Sequence, residues 1–175
     1  DRLGPLPLIG DELGAETESR RVSAEIVGDA ADPDNCFVFE PVERVFHESL
    51  PETEKFLSFD RLWEIYEDET PMPNNENFYS YRAVNNEQLR EELKRISLQA
   101  YCAVSGKGYG RLDIRMDRNT GLLYLLEVNA QCGLSEDEDY TSIGAILRVS
   151  GRSFTELVAA IIRDRLKRAG AKLAI

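Results

Sequence analysis

Polar and apolar residues alternate along Arg21-Val22-Ser23-Ala24-Glu25-Ile26-Val27, the period of a strand with one buried face. Turn formers crowd Gly28 to Asn35, and Cys36 to Val42 reads as a second strand, giving an antiparallel hairpin with a long turn. Residues 47–80 show no regular period. Phe56, Phe59, Trp63 and Tyr66 predict a short helix or an irregular aromatic cluster that belongs in the core. Pro71 and Pro73 forbid a regular element in the polar loop that follows. From residue 86 to 104, Leu89, Leu93, Ile96, Ala100 and Ala103 recur at steps of three and four. That spacing predicts a helix capped by Asn85 or Asn86 and closed by Gly106.

The sharpest alternation is Gly110 to Met116, with Leu112, Ile114 and Met116 on one face and Arg111, Asp113 and Arg115 on the other. A turn at Asp117–Gly121 leads into Leu122–Asn129, whose near-continuous apolar run predicts a strand buried on both faces. After a loop, Ser153 and Glu156 have the spacing of a capping box. They open a helix with Phe154, Leu157, Val158, Ile161, Ile162 and Leu166 as its apolar stripe and cations at its C-terminal end. The elements predict an α+β fold, an antiparallel sheet flanked by helices. An irregular lead-in over 1–20 and one domain over 21–175 are expected.

Composition narrows the function classes. The 175 residues are 42% hydrophobic, and 21 Lys plus Arg against 32 Asp plus Glu give a net charge of −11. Such a balance disfavours phosphate-backbone and anionic-membrane partners. No apolar run approaches the ~20 residues of a membrane span, and the first residues lack a signal-peptide pattern. The missing initiator Met suggests a trimmed chain or one that begins mid-protein. Cys36, Cys102 and Cys132 are odd in number and widely spaced, which fits free thiols in a reducing, cytoplasmic setting. With His47 as the one histidine, a zinc site or a histidine-based triad is disfavoured.

Pairing of the two late strands brings Asp113 toward Glu127 and Asn129, which are two apart and share a face. Carboxylate and amide oxygens together suit a hard cation such as Mg²⁺. A carboxylate at the end of so apolar a run also asks for a partner. Ordinary cross-hairpin salt bridges, Asp113 with Arg115 or Arg111 with Glu127, stand as the alternative. Cys132 is read as filling space rather than as a nucleophile, and His47 as a packing or surface residue. Glu136–Asp139 is read as a solvated loop.

Gly108-Tyr109-Gly110-Arg111-Leu112-Asp113-Ile114-Arg115, followed by Leu125-Leu126-Glu127-Val128-Asn129-Ala130-Gln131-Cys132-Gly133-Leu134-Ser135, resembles the C-terminal signature of the ATP-grasp superfamily. The D-alanine–D-alanine ligase-like branch is most similar. The likeness runs from about residue 86 to 168 and includes the Gly151–Val158 helix start. It implies the C-terminal lobe of an ATP-grasp fold and an ATP- and Mg²⁺-dependent carboxylate–amine ligase. In such ligases a carboxylate attacks the γ-phosphate and an amine then attacks the acyl phosphate. It assigns metal ligation to Asp113, Glu127 and Asn129 and oxyanion stabilisation to Arg111 and the Gly133 N–H. It also assigns nucleotide contact to Arg115 and acceptor contact to Ser142. Amino acids or peptides are the implied substrates, and a homodimer or a complementing subunit the expected assembly.

Departures are also visible. Asn129-Ala130-Gln131-Cys132-Gly133 stands where the family often has Asn-Thr-x-Pro-Gly, which puts the acceptor in doubt. A Gly/Ser-rich phosphate lid, an adenine-pocket lysine and the N-terminal domain find no match. The chain alone is therefore expected to be inactive or nearly so. The rival reading is a non-catalytic ATP-grasp-derived interaction module, or one part of a split enzyme.

Overall fold

The computed structural model describes residues 19–57, 72–130, 132–137 and 141–170. Residues 1–18 of the lead-in and the Phe59, Trp63 and Tyr66 aromatics lie outside the described residues. Among the described residues six strands, β1 (Ser19–Asp29), β2 (Phe37–Val38), β3 (Val42–Phe46), β4 (Tyr79–Ala83), β5 (Lys107–Asp117) and β6 (Leu123–Asn129), form one antiparallel sheet. Its order is β4-β3-β1-β5-β6, with β2 paired to the far end of β1. Among the same residues three α-helices accompany it: α1 (Glu87–Ala103), α2 (Ser142–Ser150) and α3 (Phe154–Arg168).

Period two sorts the strand residues onto two covered faces. Val22, Ile26, Leu112 and Ile114 pack under α1 against Leu93, Ile96, Ala100 and Tyr101. Val27, Val42, Phe46, Tyr79 and Tyr81 pack on the other face beneath α2 and α3, with Ile143, Ile146, Leu147 and Leu157. The sheet thus lies between one helix and two.

That architecture reverses two expectations. β1 is the central strand, and Val22–Gly28 are all buried, so its polar face is covered rather than solvated. β6 is an edge strand: Leu126 is 44% exposed and the Glu127 side chain 56% exposed. The apolar run had suggested burial on both faces. However, a bulge at Leu126, where the β5 register shifts between Asp113 and Ile114, turns two consecutive residues toward solvent. The second strand is likewise split. Pro41 brings no N–H to the ladder, and Phe39 N–H donates to Glu25 O at 2.9 Å between the two pieces.

Other ends follow local rules. Asn86 caps α1 by accepting the Leu89 N–H at 2.8 Å. At the far end Ser105, not Gly106, takes the left-handed conformation (φ 56°). Gly106 is needed for another reason: a Cβ there would stand 2.4 Å from the Tyr101 ring. The Ser153–Glu156 capping box forms as expected. The loop expected before it contains α2, which Thr141 caps through the Gly144 N–H and Gly151 ends at φ 62°. No helix among the described residues is long and apolar enough to cross a membrane.

Candidate active site

The charged face of β5 lies on the α2 side of the sheet, and three neighbours complete it. Across β1, Ser23 stands opposite Asp113 and Glu25 opposite Arg111. Across β6, Glu127 stands opposite Asp113 and Asn129 opposite Arg111. The hairpin therefore brings together four of the expected residues, Arg111, Asp113, Glu127 and Asn129, in two adjacent rungs. Ser142, the first residue of α2, approaches from above: Arg111 Nη1 donates to its Oγ at 3.4 Å.

Arg111 is committed mainly to Asp113, donating from Nη2 to Oδ2 at 2.7 Å and from Nε to both carboxylate oxygens at 3.1 and 3.2 Å. Its Nη2 lies 3.8 Å from Glu127 Oε1. Ser23 Oγ donates to Asp113 Oδ1 at 2.7 Å. Burial alone would raise Asp113, but Arg111 and Ser23 outweigh it and hold the carboxyl low. Glu127 is raised, first by its hydrogen bond to Asp113 and then by burial and the neighbouring charge. A divalent cation between the two facing carboxylates would cancel their repulsion, so the donor set fits Mg²⁺. Asn129 adds a neutral oxygen on the same edge.

Gly133 is exposed, with open space where a Cβ would stand. Arg115 has no carboxylate partner among the described residues, and its Nε is buried without a hydrogen bond. Cys132 is buried, and burial pushes its thiol up to about 12, so it is unsuited to nucleophilic work. His47 bonds Ser49 Oγ through Nδ1 and meets Glu76 through Nε2, both at 2.8 Å, as an ordinary surface contact. All three cysteines are free.

One residue of this site was not foreseen. Glu25 is fully buried beside Arg111, accepts from the Cys132 thiol at 3.7 Å through Oε2, and leaves Oε1 without a partner. Burial, opposed by Cys132 and Arg111, raises its carboxyl to about 8. The alternation of β1 placed it on a polar face, but only the long-range pairing of β1 with β5 makes that face part of the site. A separate cavity of about 750 Å³, lined by Val27, Phe37, Phe39, Leu157 and Lys167 among others, lies between β1, β2 and α3, away from the Asp113–Glu127 pair.

Comparisons with known proteins agree with this architecture. A family model described as "D-ala D-ala ligase C-terminus" matches residues 47–163. The D-alanine–D-alanine ligase of Thermoanaerobacter sp. (strain X514) is 36% identical over 76 residues, which are 43% of this chain and 20% of that protein. The enzyme of that name from Saccharophagus degradans is 39% identical over 80 residues, 46% of this chain and 24% of the relative. The crystal structure of D-alanine–D-alanine ligase from Bacillus anthracis complexed with ATP superposes with a TM-score of 0.55 at 15% identity. It covers 85% of this chain and 38% of that one. The VanG D-Ala:D-Ser ligase from Enterococcus faecalis gives 0.54 at 14% identity, covering 83% and 36%. The matched part is thus a quarter or less of the curated relatives' length. The family model covers more than half of the chain, and the sheet and helices superpose on part of an ATP-grasp fold. The chain therefore belongs to the D-alanine–D-alanine ligase C-terminal family.

Proposed function

We propose that the chain is the metal-binding C-terminal part of an ATP- and Mg²⁺-dependent ligase that joins a carboxylate to an amine, with amino acids or peptides as substrates. One observation carries this reading: Asp113 and Glu127 face each other across β5 and β6, with Arg111 against both. The family membership supports the reaction class. Mg²⁺ held by Asp113, Glu127 and Asn129 would supply charge neutralisation for the nucleotide phosphates.

The protein's own groups divide the remaining work. Ser23 and Arg111 fix the Asp113 carboxylate, so that one ligand is oriented before any cation arrives. Arg111, half-buried and permanently charged, lies where negative charge would develop on a phosphorylated carboxyl, and release from Asp113 would free its fork for that oxygen. The Gly133 N–H would donate to the same oxygen. Ser142 Oγ restrains the second Arg111 nitrogen and would meet the acceptor.

The test is Mn²⁺ binding, read by EPR titration in the presence of ATP. Glu127→Gln and Asp113→Asn should each weaken Mn²⁺ by at least about tenfold, as losing one carboxylate ligand should. Unchanged affinity in both variants would overturn the metal assignment. In the ligase that contains this segment, ADP release with amino-acid substrates should fall with the same variants.

A further inference from the structure

The cavity of about 750 Å³ between β1, β2 and α3 shares no lining residue with the Asp113–Glu127 pair. Its volume falls within the range of small-molecule sites, roughly 300–1,000 Å³. β1 contributes Val27, and β2 contributes Phe37, which stands opposite Val27 in the ladder. α3 turns one stripe toward them, in which Leu157, Ala160, Arg163 and Lys167 recur at steps of three and four.

The floor is apolar and aromatic. Leu157 is fully buried, Phe39 is buried, and the Phe37 ring meets Phe39 edge-on with centroids 4.8 Å apart. Phe37 is nonetheless 48% exposed, so part of this aromatic wall is open to an incoming group. Across from it, Ala160 presents only a methyl group to the cavity.

The rim is charged, and most of its charges answer one another. Lys167 reaches Asp32 at 2.8 Å and Arg152 reaches Glu156 at 3.2 Å. Arg168 reaches Asp164 at 2.8 Å and lies 3.8 Å from Asp29. Arg163 is the exception: it lines the cavity, is exposed, and has no carboxylate partner among the described residues. An occupant suited to this lining offers an apolar body to Phe37 and Leu157 and one negative group to Arg163. A second negative group would meet Asp29, Asp32 or Asp164 instead. A planar ring entering beside Phe37 extends the edge-to-face packing that Phe37 already makes with Phe39, which an alkyl chain does not. A guanidinium fork matches a carboxylate through two parallel hydrogen bonds.

We propose that this cavity is a binding site for a small aromatic carboxylate, its ring against Phe37 and Leu157 and its carboxylate on Arg163. The site is separate from the metal pair and does not rest on the ligase reading. The chain's charge of −11 repels anions at long range, so affinity comes from the apolar floor and the single fork rather than from steering.

The experiment is an NMR titration of the ¹⁵N-labelled 175-residue chain with 2-naphthylacetate, its neutral amide and octanoate. Naphthylacetate should bind with a Kd below about 1 mM, as a small ligand in a fitting pocket does. Shifts should centre on the amides of Val27, Phe37 and Ala160 to Lys167, with those of Asp113 and Glu127 unmoved. The amide, which lacks the charge, and octanoate, which lacks the ring, should each bind at least about threefold more weakly. Arg163→Gln should weaken naphthylacetate about three- to fivefold, as loss of an exposed ion pair does, and leave the amide unchanged. Phe37→Ala should weaken both aromatic probes by about tenfold. Both side chains are exposed, so the variants keep the fold, which their amide spectra check, and the comparison of probes needs no variant. Absence of saturable binding, or shifts centred on the Asp113–Glu127 hairpin, overturns the site. Equal affinity for the acid and its amide, or binding indifferent to Arg163→Gln, overturns the role of Arg163, and equal affinity for octanoate overturns the aromatic ligand.

Discussion

Glu25 shows how a single residue couples to the whole sheet. Its neighbours in sequence are ordinary strand formers, yet it lies fully buried with one oxygen unpaired. The folded protein holds its proton up to about pH 8, whereas an unperturbed glutamate releases it near 4.5. The native state then binds more protons than the unfolded chain between those values, so this residue's contribution to stability falls as the pH rises from about 5 to about 8. Glu25→Gln keeps the shape and removes the titration. Urea midpoints measured across that range should decline for wild type and decline less for the variant, the two curves separating most at pH 8. Parallel curves would show that Glu25 ionises freely in the fold. Cys132 belongs to the same local problem, for its buried thiol offers Glu25 a weak donor where few stronger ones reach.

Helix ends show where local chemistry suffices. The Ser153–Glu156 box is complete: Ser153 Oγ accepts the Glu156 N–H at 3.2 Å, and the Glu156 carboxylate accepts the Ser153 N–H at 2.7 Å. Ser153→Ala should cost about 1 kcal/mol by chemical denaturation, the usual value of such a cap. An unchanged midpoint would mean that packing alone holds the start of α3. α2 obeys the same rules through Thr141 and Gly151 but was hidden, since nine residues between a polar loop and a glycine give too short a stretch for a helical period to stand out. β4 was hidden likewise: Tyr79-Ser80-Tyr81-Arg82-Ala83 alternates for only five residues.

For the molecule as a whole, the sheet's two faces form separate clusters, one under α1 and one under α2 and α3. Leu157 is the one buried residue of α3, at the centre of the second cluster. Leu157→Ala should lower stability by about 2–5 kcal/mol. Hydrogen exchange should rise first in α2 and α3, with α1 protected longer. A uniform rise would show that the two layers unfold as one unit.

The sequence by itself determined what depends on near neighbours. The β5–β6 hairpin follows from alternation and a turn, α1 and α3 from period and caps, and the meeting of Asp113 with Glu127 from a hairpin whose strands are joined by five residues. The tertiary structure decided what depends on pairing across long separations. β1 looked half-solvated and β6 doubly buried, yet their places at the centre and edge of the sheet exchange those roles. No local pattern encodes that β1 pairs with a strand some ninety residues later, because alternation fixes which residues share a face and not which strand or helix covers it. Glu25 therefore came to lie beside Arg111 only when the sheet assembled.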